Sequence, residues 1–272
     1  VPPVRRHIKK SKFFLLLFCS QKRRLLPPSF LKPLMPIRLY IPTPLCPGAT
    51  LTLPEPQSHY LINVMRLAPP AELLLFDGQN GEFAARLDST TRKAATLTIL
   101  QQTRPPEPAA PDIWLCFALL KRQKTDLVVE KATELGATHI QPLITARTQA
   151  DHVNLDRLHA IAVEAAEQCE RLTVPTILPP IPLAKWLPTL KPGTKVLMAD
   201  ERRNTPTLRP PGGDTPVALL IGPEGGFTET EVAAIGGHPQ VTRVALGARI
   251  LRAETAAIAG LALLLIPGRP EE

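Results

Sequence analysis

Two short stretches in the C-terminal half carry the residues best suited to chemistry. Ile221-Gly222-Pro223-Glu224-Gly225-Gly226-Phe227-Thr228 separates a strand from a helix with three glycines and a proline. Glycine at such a place permits a positive φ and lets a ligand come close to backbone amides. Leu246-Gly247-Ala248-Arg249-Ile250-Leu251-Arg252-Ala253-Glu254-Thr255-Ala256 again ends a strand in glycine, then carries two arginines and a glutamate into an apolar helix. Ligands of α/β sheets bind outside the carboxyl ends of strands, so both stretches suit a cofactor. Each also has a plain structural reading: a tight turn before a capped helix, and an Arg–Glu pair at a helix entrance.

Charge gathers at a few other places. Lys121-Arg122-Gln123-Lys124 sets three cations between an apolar strand and a helix. Glu164, Glu167, Gln168 and Arg171 recur at helical spacing and read as a solvated polar stripe. Arg147 and the run Arg202-Arg203-Asn204 add cations near strand or helix ends.

Several familiar chemistries are excluded by inspection. There is no G-x-x-x-x-G-K-[ST], and no G-x-G-x-x-G follows the first strand of this half. No serine occurs after Ser89, which removes a nucleophile elbow. Cys19, Cys46, Cys116 and Cys169 are never at zinc-knuckle or C-x-x-C spacing, so they read as reduced thiols. The six histidines show no i,i+4 metal pair; His152 and His159 read as a surface pair, and no metal is expected.

These stretches need elements to hold them. Between Met35 and residue 104, short strands alternate with turns, as in Leu73-Leu74-Leu75-Phe76 running into Asp77-Gly78-Gln79-Asn80-Gly81. Ser58 to Leu67 reads as a short amphipathic helix with serine as its cap. Five or six strands in so short a span predict a small β-barrel. The proline-dense residues 105–111 read as a linker. From 112 to 272 strands alternate with helices: Ile113 to Leu120 is wholly apolar, as in a strand buried on both faces. A helix is expected from Asp126, entered at Thr125, to Leu135, and another from Asp156 to Leu172. Strands are expected at 195–199, 217–221 and 242–246, with helices at 228–235 and 253–265. The fold class is α/β, with a mainly parallel sheet.

Composition sets the outer limits. The chain has 272 residues, 44% hydrophobic and 21% charged, long enough for one large core or two modest ones. No apolar run approaches the ~18 residues that would span a bilayer. The formal charge of +8 is confined to one end: residues 1–34 hold nine Lys or Arg and no acid. The remainder has 23 basic and 24 acidic residues, a net of −1. An RNA partner must therefore rest on local patches, not on overall charge. Residues 1–34 read as an appended extension, disordered or upstream of a true start at Met35. Their apolar run, Phe13 to Phe18, is short for a signal peptide and lacks a cleavage site.

The ordered set KRQKTDLVVEKATELGATHIQPL, EAAEQCERLTVP, LLIGPEGGFTETE and LGARILRAETA resembles the RsmE family. HYLINVMR and LLLFDGQNGEF extend the resemblance into the first domain, so that it runs from Met35 to about Pro267. The family comprises bacterial small-subunit (16S) rRNA uridine-N3 methyltransferases of the SPOUT class. The resemblance implies a PUA-like RNA-binding barrel, then a SPOUT α/β domain whose C-terminal part forms a trefoil knot. It also implies a cytoplasmic homodimer acting on small-subunit rRNA or the 30S subunit, with S-adenosyl-L-methionine as cofactor. Carried over by position, cofactor contacts fall on Leu197, Met198 and Ala199, on Gly222, Pro223, Glu224, Gly225 and Gly226, and on Leu246, Gly247, Ile250, Leu251 and Arg252. One departure stands out: Pro70-Ala71-Glu72 replaces the family's usual Gly-Asp, a change in a barrel turn.

Methyl transfer from a sulfonium needs no covalent enzyme intermediate, but uridine N3 must lose its proton. Arg252 is expected to stabilise the charge that develops on the uracil carbonyls. Glu254 is expected to orient Arg252 or serve as base, with Glu224 or solvent as alternatives. Lys121, Arg122, Lys124, Arg147 and Arg171, with Arg38 and Arg66 of the barrel, are the expected phosphate contacts. Two other readings stand beside this one: a SPOUT-class methyltransferase acting on another RNA or atom, and a non-catalytic RNA-binding assembly factor.

Overall fold

Alternating apolar and polar residues build the first sheet. In the computed structural model, which describes residues 36–91, 93–108, 112–148, 152–201, 205–210 and 215–265, five strands pair as β1-β3-β4-β5-β2. They are β1 (Arg38–Tyr40), β2 (Thr50–Thr52), β3 (Ala71–Phe76), β4 (Glu82–Thr90) and β5 (Ala95–Arg104). The pair β1–β3 is parallel and the other pairs are antiparallel. Period-two alternation points Leu73 and Leu75, Ala85 and Leu87, and Leu97 and Ile99 inward, where all are buried. The turn after β3 is held by Asp77, whose Oδ1 accepts from the amides of Gln79 and Asn80 at 2.9 and 2.7 Å.

The helix joining β2 to β3 begins earlier than its sequence suggests. It runs as α1 (Glu55–His59) and continues as a wider π turn over Tyr60–Val64. Pro56 is tolerated because it falls in the first turn. Ser58 is thus inside the helix, not its cap. Its buried Oγ donates to the Leu53 carbonyl at 3.0 Å and accepts from the Ala95 amide at 3.0 Å.

The second sheet is wholly parallel. Its strands are β6 (Ile113–Ala118), β7 (His139–Ile144), β8 (Thr176–Ile177), β9 (Ile181–Pro182), β10 (Lys195–Ala199), β11 (Val217–Ile221) and β12 (Val241–Val244). They run in the order β12-β10-β11-β6-β7-β8, with β9 also on β7. The helices are α2 (Arg122–Leu135), α3 (Leu155–Gln168), α4 (Leu183–Trp186), α5 (Glu229–Gly236) and α6 (Ala253–Leu265). Side chains of β6 and β11 are buried on both faces, which is why their sequences lack alternation. One face, with Leu115, Phe117, Leu219 and Ile221, packs on Val128, Val129, Leu158 and Leu261. The other, with Cys116, Ala218 and Leu220, meets Trp186, Leu187 and Ile235. At Gly260 α6 comes so close to β11 that a Cβ would lie 2.6 Å from Leu219 Cδ2.

Helix boundaries depart from expectation at two places that matter. Helix α2 starts at Arg122, so Thr125 does not open it; the threonine is buried, and its Oγ donates to the Leu120 carbonyl at 3.0 Å. Lys124 therefore sits in the first helical turn. Helix α3 ends at Gln168, which leaves Arg171 beyond the helix. Helix α5 starts one residue later than expected, with Thr228 as its cap: Thr228 accepts from the Glu231 amide at 3.2 Å, and Glu231 accepts from the Thr228 amide at 2.8 Å.

In the stripe read as solvated, Glu164 and Gln168 are exposed, but Glu167 lies in a seam between the two sheets. Arg38 donates through Nε to Glu82 at 2.8 Å and through Nη1 to the Ala166 and Glu167 carbonyls at 3.4 and 3.3 Å. Glu167 accepts from the Tyr40 amide at 2.9 Å, and burial pushes its carboxyl up to about 7. Phe76 packs on Ala166 and Leu172 alongside. Glu107, in the proline-rich stretch, accepts from the Leu172 amide at 2.9 Å. The basic extension 1–34, linker residues 109–111 and the run Arg202-Arg203-Asn204 lie outside the described residues.

Candidate functional site

Parallel strands that end side by side leave their following loops to meet at one edge. The carboxyl ends of β10, β11 and β12 open into a cleft of about 470 Å³. Met198, Ala199, Gly222, Pro223, Glu224, Gly226, Leu246, Gly247, Ile250, Leu251 and Arg252 line it, so three distant stretches of sequence do converge. Two expected residues are not in that lining. Leu197 is buried in the core below, and Gly225 turns its carbonyl to Arg147, whose Nη1 donates at 2.6 Å. Nine residues of the lining were not anticipated as cofactor contacts: Lys124, Asp200, Glu201, Ile221, Phe227, Val232, Arg249, Ala253 and Ala256. Asp200 and Glu201 follow directly on β10, at the carboxyl end of a strand where ligands of α/β sheets bind.

Conformation at the loops suits close approach. Gly226 has φ +70°, and a Cβ there would stand 3.1 Å from Glu201 Oε1. A side chain would thus be strained and would crowd the Glu201 carboxylate. The loop is fastened from outside by Arg147, and the neighbouring Ala146 amide donates to Glu231 Oε1 at 2.8 Å. On the other flank Arg243 reaches the buried Asp200 at 2.5 Å.

Charge in the cleft centres on Lys124. Its Nζ is bonded to Glu224 and lies 3.3 Å from Glu254 Oε1. The bond to Glu224, aided by Glu254, holds the ammonium above the usual lysine pKa. Glu254 does not line the cleft. Its side chain is 13% exposed, behind Lys124, and its Oε2 is buried with no hydrogen-bond partner among the described residues. The expected Glu254–Arg252 contact is therefore replaced by Glu254–Lys124.

The seven expected RNA cations do not form one set. Arg38 is 7% exposed and held by Glu82 and two carbonyls. Arg171 is partly buried, donating to the Thr133 carbonyl and to Thr173 at 2.8 Å each. Lys124 belongs to the cleft. Arg66, Lys121, Arg122 and Arg147 are exposed. The reason is general: a guanidinium's five donors satisfy buried carbonyls as readily as phosphates, and sequence does not distinguish the two. Among the described residues no group of three or more His, Cys, Asp or Glu could hold a metal ion.

Comparison with known proteins bears on this arrangement. Residues 106–265 match the RNA methyltransferase domain family, and residues 53–100 match the RNA methyltransferase PUA domain. A ribosomal RNA small subunit methyltransferase E from Rickettsia conorii is 34% identical over 236 residues, 85% of this chain and 96% of its own length. A Neisseria gonorrhoeae protein of the same name, solved bound to S-adenosyl methionine, is 33% identical with a TM-score of 0.75, covering 84% of this chain and 95% of its own. A putative methyltransferase from Legionella pneumophila, solved with bound SAM, is 31% identical at a TM-score of 0.75 over 84% and 96% of the two chains.

Proposed function

The chain belongs to the RNA methyltransferase family that includes ribosomal RNA small subunit methyltransferase E, and on that premise we propose that it methylates N3 of a specific uridine in small-subunit rRNA, with S-adenosylmethionine as donor. The observation that carries this reading is the cleft where the loops after β10, β11 and β12 meet. Its residues fit the cofactor. About 470 Å³ is of the size a small-molecule site needs. Met198, Ile221, Phe227, Leu246 and Leu251 offer apolar walls to an adenine. Glu201, beside the space that a Cβ at Gly226 would fill, offers a carboxylate to ribose hydroxyls.

When bound, S-adenosylmethionine supplies a methyl group already activated on a sulfonium. The protein has two further tasks: to align uracil N3 with that methyl, and to manage the N3 proton and the charge left behind. Arg252 lines the cleft and stabilises the charge on the uracil carbonyls. Glu224, on the cleft wall and 31% exposed, accepts the N3 proton. Glu254 acts from behind, through Lys124. Arg66, Lys121, Arg122 and Arg147 remain for phosphate contacts, with a barrel over 35–104 and a methyltransferase domain over 112–272 sharing the RNA. Support for that division is that the first sheet's last strand ends at Arg104, immediately before the prolines. A trefoil knot, a homodimer and a cytoplasmic setting complete the reading. Among the described residues no helix is long and apolar enough to cross a membrane.

The test separates an enzyme from an RNA-binding assembly factor of the same fold. Calorimetric titration with S-adenosylmethionine, followed by transfer of labelled methyl to small subunits lacking the modification, should give one cofactor site per chain and stable label in rRNA. Neither binding nor label would leave the assembly-factor reading.

A further inference from the structure

Resting on that reading, we propose that Lys124 is a positioning residue for proton removal: by joining Glu224 to Glu254 it holds the proton-accepting carboxylate in place on the cleft wall. Three elements meet at its nitrogen. Lys124 lies in the first turn of α2, Glu224 in the loop after β11, and Glu254 in the first turn of α6. The ammonium bonds Glu224 and stands 3.3 Å from Glu254. Glu254 is the more buried partner, with one oxygen unpartnered among the described residues. A carboxylate so placed needs its cation, because a buried charge left without a partner is costly.

Two carboxylates share one cation, so Lys124 is the tie between the loop after β11 and the start of α6. The charged groups around it are Arg249 and Arg252 after β12, and Glu201 with the Asp200–Arg243 pair after β10. Helix α2 adds Arg122 and Asp126, the latter paired with Arg157 of α3. Helix α6 brings no charge except Glu254. Removing the Lys124 ammonium unties Glu224 from Glu254 and leaves its carboxylate free to swing off the cleft wall. Removing the Glu254 charge leaves Lys124 wholly to Glu224. The first change should therefore cost more than the second, and an arginine at 124 should keep the tie.

The experiment measures single-turnover methyl transfer with cofactor and RNA saturating for the wild type, Lys124→Met, Lys124→Arg and Glu254→Gln, with calorimetric affinity for S-adenosylmethionine and a melting temperature for each. K124M should slow the step about tenfold, and E254Q, in which Lys124 keeps Glu224 alone, should slow it less. K124R, which keeps the charge, should stay within about threefold of wild type, and cofactor affinity should change by less than about threefold throughout. A loss in K124R equal to that in K124M, or losses matched by weaker cofactor binding, would overturn the assignment. If K124M does not fold, a K124R rate more than about tenfold below wild type overturns it instead. A wild-type enzyme that makes no 3-methyluridine would overturn the reaction itself, and this inference with it.

Discussion

At the scale of single residues, the stretches singled out in the sequence line one cleft, while the ion pairs between them were not legible. The glycine-rich stretches at 222–226 and 246–252 announce themselves, because few other reasons place glycines and arginines directly after buried strands. Lys124 did not, because its partners lie 100 and 130 positions away and only the folded sheet brings them together. Glu254 looked like the partner of Arg252 because the two are neighbours in sequence; the first turn of α6 directs it to Lys124 instead. Arg252 retains its expected place on the cleft wall. Arg252→Ala should lower the single-turnover rate by about 10²-fold or more, the usual effect of removing a donor from developing charge. Its melting temperature should stay near wild type. A rate close to wild type with cofactor bound would remove Arg252 from catalysis.

At the scale of elements, regular pattern was legible and partner-dependent detail was not. Strands β10 and β11 and helix α6 fall at the expected residues, because long apolar runs bounded by glycine and proline leave little freedom. Ser58 and Thr125 were misread as helix entrances because a hydroxyl that caps and one that bonds a buried carbonyl look alike in sequence. The two-residue strands β8 and β9 and the single turn of α4 are too short to show periodicity. Packing of α6 against β11 depends on Gly260, where a Cβ would meet Leu219 at 2.6 Å inside the core. Gly260→Ala should therefore destabilise the protein by about 1–3 kcal/mol despite alanine's better helix propensity, as overpacked cores do. Chemical denaturation would measure it; an unchanged or higher midpoint would show that Leu219 moves aside freely.

At the scale of the whole molecule, overall charge misleads and the seam between the sheets matters more. The positive balance belongs to residues 1–34, and two of the arginines read as RNA contacts, Arg38 and Arg171, are internal fasteners. No local rule makes Glu167 part of a seam, since its spacing fits a solvated helix face equally well. Burial raises its carboxyl from the ordinary 4.5 to about 7. A group that binds its proton more tightly when folded contributes stability that is complete below about pH 4.5 and lost as pH rises through about 7. Between pH 5.5 and 8 the wild-type melting temperature should fall about 5 °C more than that of Glu167→Gln, which keeps an acceptor for the Tyr40 amide but cannot ionise. Parallel curves for the two proteins would show that the seam does not hold a proton at neutral pH.

The central claim, that this cleft directs a methyl group to uridine N3, is tested most directly by where the methyl lands. Small subunits lacking the modification would be incubated with the protein and labelled S-adenosylmethionine, and their rRNA digested to nucleosides and separated. The account predicts label in 3-methyluridine alone, and its loss with Arg252→Ala. Label in a ribose-methylated nucleoside, or in another base, would contradict it.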